Sequence, residues 1–213
     1  MSVYGIVAEY NPFHNGHFYQ INEIKKNNEN LVVVVMSPNV VQRGDFAVFD
    51  KWLRCEAAIK CGADLVLELP SVYAMSTAEK FAYGAIYTLN ALNCVEFLSF
   101  GSESANLDLL LKAAEALKDN KVDERIKELL KSGITYAKAR SMAVGEQDES
   151  LSEILANPND ILAVEYIKQL RTLNSKIIPK PILRVGSGHD AQSPQGEYAS
   201  ASYLREKLDL ETL

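Results

Sequence analysis

The sequence is poor in cysteine and histidine, and it has no surplus of positive charge or long apolar stretch. Its three cysteines, Cys55, Cys61 and Cys94, are odd in number and show no paired spacing. That argues against a disulfide framework or a zinc knuckle and leaves them as expected small buried hydrophobes. The three histidines form no HExxH pattern, so metal ligation by His14 and His17 with His189 as a third ligand is disfavoured. Lys and Arg number 22 against 28 Asp and Glu, a formal charge of −6. General nucleic-acid binding rests on many cationic contacts to phosphate, so this balance argues against it, although a local basic patch stays open. No apolar run approaches the roughly 20 residues needed to cross a bilayer. The first residues lack the basic start and apolar stretch of a secretory signal, so a cytoplasmic protein with no membrane partner is expected. There is no internal repeat and no low-complexity tract.

What is present is the pattern of an α/β domain. The 213 residues are 47% hydrophobic and 23% charged, ordinary for a globular chain long enough to bury a sizeable core. Strands are expected at Val3 to Glu9, Leu31 to Met36, Ala63 to Leu69 and Val95 to Phe100. Helices are expected at Asn15 to Lys26, Lys51 to Lys60 and Ala78 to Leu92. The run LVVVVM at 31–36 is too short for a buried helix and typical of a central parallel strand. Strand and helix alternate, which predicts a Rossmann-like parallel sheet with helices on both faces and a ligand at the carboxyl ends of the strands. Leu107 to about Ala156 reads as amphipathic helices forming a cap or flank, an insertion at about 105–156. Asp160 to Leu173 is a further helix, opened by Pro158-Asn159-Asp160. Lys176 to Val185 is a fifth strand, and its prolines suggest an edge position. A loop from Gly186 to Tyr198 leads to a last helix, capped by Ser200 or Ser202 and running to about Asp209.

The segment from Gly5 to His17 is the candidate triphosphate grip, and its chemistry lies in Tyr10-Asn11-Pro12-Phe13-His14-Asn15-Gly16-His17. It leaves the first strand and opens the first helix, where free backbone N–H groups and the helix dipole face any anion above the sheet. Gly16 removes a side chain where a phosphate must come close. His14 and His17, three residues apart, share one side of the first turn. There they can donate hydrogen bonds to phosphate oxygens and stabilise charge growing on the α-phosphorus and the departing pyrophosphate.

HNGH in this setting resembles the HxGH signature of the nucleotidylyltransferase superfamily. The second signature of that superfamily, of the ISSTxxR type, is matched by Ser200-Ala201-Ser202-Tyr203-Leu204-Arg205, with Ala201 and Tyr203 differing from the commonest form. The serines can cap the helix and touch phosphate, and Arg205 can reach the β- or γ-phosphate. A narrower resemblance covers essentially the whole chain. VAEYNPFHNGH, VVQRGDFAVFDKWLR, DLVLELP, FGSE, PNDILAVEY and GHDA, in that order, resemble the tRNA(Met) cytidine acetate ligase family. Ser37-Pro38 stands where that family usually has Ser-Gly. The family's second, mostly helical C-terminal region is expected to be absent, whether because the sequence is a piece or a short member.

The resemblance implies a two-step ligase. Acetate attacks the α-phosphate of ATP to give acetyl-adenylate and pyrophosphate, and the acetyl group passes to N4 of the wobble cytidine of elongator tRNA(Met). No nucleophilic Ser or Cys is then needed, because the site positions reactants and stabilises phosphate charge. The expected catalytic residues are His14, His17 and Arg205. The expected ATP site comprises Val7, Ala8, Glu9, Tyr10, Asn11, Pro12, Phe13, His14, Asn15, Gly16, His17, Phe18, Tyr19 and Gln20, joined by Gly101, Asn159, Arg184, Val185, Ser200 and Ser202. Gly101 can bare the backbone to adenine or ribose or simply turn the chain; Asn159 can bond the nucleotide or cap a helix. Arg184 can stack on adenine or clamp phosphate, and His189 and Asp190 can close a loop over the site. Gln42, Arg43, Lys51 and Arg54 are candidates for acetate or tRNA contacts, with a solvated basic face as the plain alternative. Mg2+ is expected to accompany ATP, although no carboxylate cluster marks a dedicated site. Two other readings stay open: transfer of AMP or CMP onto a small phosphorylated metabolite, and a nucleotide-binding module without catalysis. The sequence does not set the oligomeric state. If the C-terminal region is absent, tRNA affinity is expected to be absent too.

Overall fold

A computed structural model describes residues 1–42, 44–184 and 201–207. Five parallel strands form one sheet: β1 (Val3–Ala8), β2 (Leu31–Met36), β3 (Leu65–Glu68), β4 (Phe97–Ser102) and β5 (Ile178–Leu183). Their order across the sheet is β3-β2-β1-β4-β5, and β1 pairs in parallel with both β2 and β4. The chain runs outward from β1 to β3, then jumps back to the far side of β1. That reversal makes the crevice beyond the carboxyl ends of β1 and β4 the expected ligand site.

Alternation along the strands feeds two cores. On β2, Val32, Val34 and Met36 join Ile6 and Ala8 of β1 beneath α1 (Asn15–Lys25) and α2 (Lys51–Lys60), which contribute Ile21, Ile24 and Ala58. Val33 and Val35 face the other way. They join α4 (Ala78–Ala91) and α9 (Pro158–Thr172) through Phe81, Leu89, Val164 and Ile167. Gly5 belongs to this packing and is not part of the cavity wall described below. A β-carbon there would lie 2.8 Å from Leu89 Cδ1 and 3.2 Å from Val95 Cγ1.

The helical section after β4 is four helices: α5 (Leu107–Ala116), α6 (Asn120–Lys131), α7 (Tyr136–Gly145) and α8 (Glu149–Ile154). They flank the sheet and share its core, since Leu110, Ile126, Val144 and Leu151 are continuous with the α4–α9 cluster. An ion cluster fastens the flank: buried Glu165 of α9 pairs with Arg140 of α7 and with Lys168.

β5 takes the edge position its prolines suggest. Several expectations are corrected. A short helix, α3 (Ser71–Ala74), follows Pro70 and was not legible as a separate element. The last helix, α10 (Ala201–Lys207), begins before Ser202, so that serine is inside the helix and does not cap it. Cys94 is exposed and Cys55 and Cys61 are half-buried, so the cysteines are not fully buried core residues. Ser200, Val185, His189, Asp190 and Arg43 lie outside the described residues. Among the described residues, no helix is long and apolar enough to cross a membrane.

Candidate active site

The site is built from the exit of β1. Tyr10 takes a φ of +49°, a left-handed conformation that costs a non-glycine residue of order 1–3 kcal/mol and clusters at functional sites. It turns the chain off the strand. Buried Tyr10 then supports His17 edge-on, with ring centroids 4.7 Å apart.

The two histidines make a capping box at the start of α1. His14 is the N-cap, and its Nδ1 accepts from the Gly16 N–H at 3.0 Å. His17 Nδ1 accepts from the His14 N–H at 3.2 Å. Their rings stack with centroids 3.8 Å apart. In a neutral imidazole whose Nδ1 accepts, the proton sits on Nε2. The backbone therefore fixes both tautomers and places the N–H donor of each ring on Nε2. Gly16 has a structural reason: a β-carbon there would lie 2.9 Å from His14 Cε1. HNGH is thus a cap in which the ring of the first histidine folds over the glycine.

Both imidazoles are held neutral. Burial lowers the His14 pKa to about 4, helped by the positive charge of Arg184. His17 is lowered well below the ordinary value by burial, then by His14 and Arg184. An unfolded histidine takes up a proton near pH 6.5, whereas these take one only at lower pH. The unfolded state then binds more protons, and stability falls as pH drops from 6.5 towards about 4. Thermal melts at stepped pH are expected to show this fall. The His14→Ser variant, which keeps a capping oxygen, is expected to show a shallower one.

A cavity of roughly 640 Å³ lies above these rings, at the carboxyl ends of β1, β4 and β5. Of the anticipated residues, Val7, Ala8, Glu9, Tyr10, Asn11, His14, Gly16, His17, Tyr19, Gln20, Gln42, Gly101, Asn159, Arg184, Ser202 and Arg205 line it. Pro12, Phe13, Asn15 and Phe18 are not in its wall, although Phe13 packs edge-on against Tyr10. Arg205 donates to the Asn11 carbonyl at 2.7 Å and to Ser202 Oγ at 3.1 Å. Arg205 and Asn11, 194 residues apart in sequence, therefore meet in space, which brings the last helix against the segment that leads into HNGH. Gly101 lies within β4 and is not a turn glycine; a β-carbon there would press on Arg184 Cγ at 3.2 Å. Arg184 donates to Asn159 Oδ1 at 3.0 Å.

Two candidates for acetate or tRNA contact lie elsewhere. Arg54 is 1% exposed. Its guanidinium donates to the carbonyls of Glu9, Ser37, Pro38 and Phe49, so it has no free face for a ligand. Pro38 at the departure from Ser-Gly is accommodated within that set. Lys51 pairs with Glu68 away from the cavity. Gln42 is held at the wall by its N–H, which donates to Glu9 Oε1 at 2.7 Å.

Sequence reasoning missed Val41, Asp45, Phe46, Phe81, Phe100, Ile161, Leu162 and Tyr166, which complete much of the wall. Pro158, Leu162 and Tyr166 recur every four residues and mark one face of α9, a signal that was available. Among the described residues, no group of three or more His, Cys, Asp or Glu side chains is placed to hold a metal ion.

Comparison with known proteins gives the family and the fold. The family model for HIGH Nucleotidyl Transferase matches residues 1–212. A tRNA(Met) cytidine acetate ligase of Thermoanaerobacter sp. (strain X514) is 47% identical over 98% of this chain and 53% of its own length. The ligase of Clostridium novyi (strain NT) is 43% identical over 96% of this chain and 53% of its own. The chain thus spans about half the length of these curated relatives. Crystal structures of Thermotoga maritima TmcAL share the fold at 37% identity. The apo form gives a TM-score of 0.89 over 97% of this chain and 51% of that one, and the form bound with alpha-thio ATP gives 0.87 over 97% and 50%. With the HNGH cap at the switch point of its parallel sheet and the match running through almost every residue, this chain belongs to the HIGH nucleotidyl transferase family.

Proposed function

We propose that this chain is the ATP-binding, acetate-activating part of a tRNA(Met) cytidine acetate ligase. The observation that carries the reading is the pair of imidazoles whose tautomers the backbone fixes, brought beside Arg205 at one cavity. Two neutral N–H donors, a guanidinium and the amino end of α1 suit the charge that develops when a nucleophile displaces pyrophosphate. An acetate oxygen forms the new bond to the α-phosphorus while the bond to the bridging oxygen of pyrophosphate breaks. In the second step the cytidine N4 amine attacks the acetyl carbon, AMP departs and the amine loses a proton. The ATP site has His14, His17 and Arg205 on the phosphates, with Gly101, Asn159 and Arg184 at the β4–β5 side for the nucleoside. Val185 and Ser200 belong to the same proposed site by sequence alone.

The described side chains form no ready-made metal cage, so the proposed Mg2+ rides on the nucleotide's own phosphates. The tRNA step belongs to the longer protein represented by the relatives, and the cytoplasm is the proposed place of work. The experiment is pyrophosphate exchange with ATP, run with acetate and with phosphorylated small acceptors. Exchange that requires acetate is the expected result. Exchange that ignores acetate and requires a phosphorylated acceptor would overturn the reading in favour of nucleotidyl transfer.

A further inference from the structure

Glu103 follows β4 directly, in the FGSE segment, and no part of the proposed chemistry uses it. Its half-buried carboxylate sits at the amino end of α9. There it accepts from the Asn159 N–H at 3.3 Å, the Asn159 side-chain amide at 2.5 Å and the Asp160 N–H at 2.9 Å. The N-cap residue of α9, Asn157, makes no side-chain capping bond of its own, so Glu103 supplies the acceptor that the helix end lacks. Asp160 returns the contact. Fully buried, it accepts from the Ser102 hydroxyl and the Ser104 N–H. The exit of β4 and the start of α9 are thus locked by reciprocal bonds.

The lock has a directional consequence. A carboxylate can only accept and a guanidinium can only donate. With Glu103 on one side of the Asn159 amide and Arg184 on the other, the amide has one allowed orientation. Its NH2 must face Glu103 and its oxygen must face Arg184, as found at 3.0 Å. Arg184 is confined from below as well, because its side chain lies over the bare backbone of Gly101. Both Asn159 and Arg184 line the cavity that holds His14 and His17.

We infer that Glu103 is a positioning residue for nucleotide binding, acting through Asn159 to hold Arg184 at the cavity wall. The inference rests on the ATP-site reading above. A plain helix cap would stabilise α9 without regard to Arg184, whereas a positioning residue must lose its effect on the nucleotide once that guanidinium is gone.

A double-mutant cycle separates the two roles. Calorimetric titration with ATP is run on the wild-type chain, Glu103→Gln, Arg184→Ala and the double variant, with a thermal melt of each. Glu103→Gln turns an NH2 towards donors and is expected to weaken ATP binding about tenfold, the scale of one charge-assisted hydrogen bond. Added to Arg184→Ala, it is expected to change the ATP affinity by less than about twofold, since the coupled pair is already broken. The melting temperature is expected to fall equally in both backgrounds. An unchanged affinity in Glu103→Gln, or the same tenfold loss on top of Arg184→Ala, overturns the inference while leaving the ATP site intact. If the wild-type chain itself binds no ATP, the functional reading fails and the inference falls with it.

Discussion

Replacing His14 by Ser is expected to cut acetate-dependent pyrophosphate exchange by about 10²- to 10³-fold while leaving the fold in place. The drop is the usual cost of removing one preorganised donor from a site where charge develops. The expectation that folding survives comes from the cap. His14 holds α1 through an acceptor on its side chain, and Ser is among the residues that replace such an acceptor well, whereas Ala would cost roughly 1 kcal/mol. His14→Ser therefore separates the two jobs of one ring, because the hydroxyl keeps the cap but is too short to carry the Nε2 donor to a phosphate. His17→Ala is expected to lose activity by a similar factor and to melt earlier than His14→Ser, since it also removes the acceptor for the His14 N–H. Exchange rates at saturating ATP, read beside thermal melts, decide the matter. A His14→Ser variant that turns over at the wild-type rate would remove the histidines from the chemistry.

The fold was legible because its signals are local. The β-branched run of β2 and the regular strand–helix alternation specify a parallel sheet without any long-range knowledge, and the prolines of β5 marked an edge. The candidate site was legible where one short segment carries both its structure and its proposed chemistry. HNGH encodes a cap, a tight approach and two donors within four residues. What escaped was whatever depends on distant partners. Arg54 looks from the sequence like a cation near a ligand edge, one turn from Lys51. Its burial is decided by four carbonyls contributed by the ends of β1 and β2 and by Phe49. Gly101 looked like the end of a strand, and its role appears only when Arg184 is laid across it. Phe81 and Phe100 are buried in the core, yet each also reaches the cavity wall. A single apolar side chain can do both, and no pattern in one sequence distinguishes the cases.

Arg54 also yields the largest expected loss of stability. Arg54→Met keeps much of the side-chain length and all of its apolar stem, so any effect is that of the guanidinium. Removing it leaves the carbonyls of Glu9, Ser37, Pro38 and Phe49 without the donor that now serves them. Each buried unpartnered acceptor costs about 1–3 kcal/mol. Part of that is recovered because the variant no longer desolvates a cation, which burial disfavours here in spite of the carboxylates of Glu9, Asp50 and Glu68. A net cost of roughly 3–5 kcal/mol follows, the range seen when one side of a buried charged network is removed. In a chain of this length that lowers the melting temperature by on the order of 10 °C. Lys51→Met, which breaks a partly exposed ion pair with Glu68 and a contact over the exposed Trp52 ring, is expected to cost about 1 kcal/mol. Denaturant unfolding of the two variants side by side tests the contrast. If Arg54→Met were as stable as the wild type and bound acetate or RNA more weakly, the guanidinium would be a ligand contact after all. If it unfolds early, Arg54 is the tie that gathers the loops after β1 and β2 at the ligand edge of the sheet, and it serves the site by shaping it from beneath.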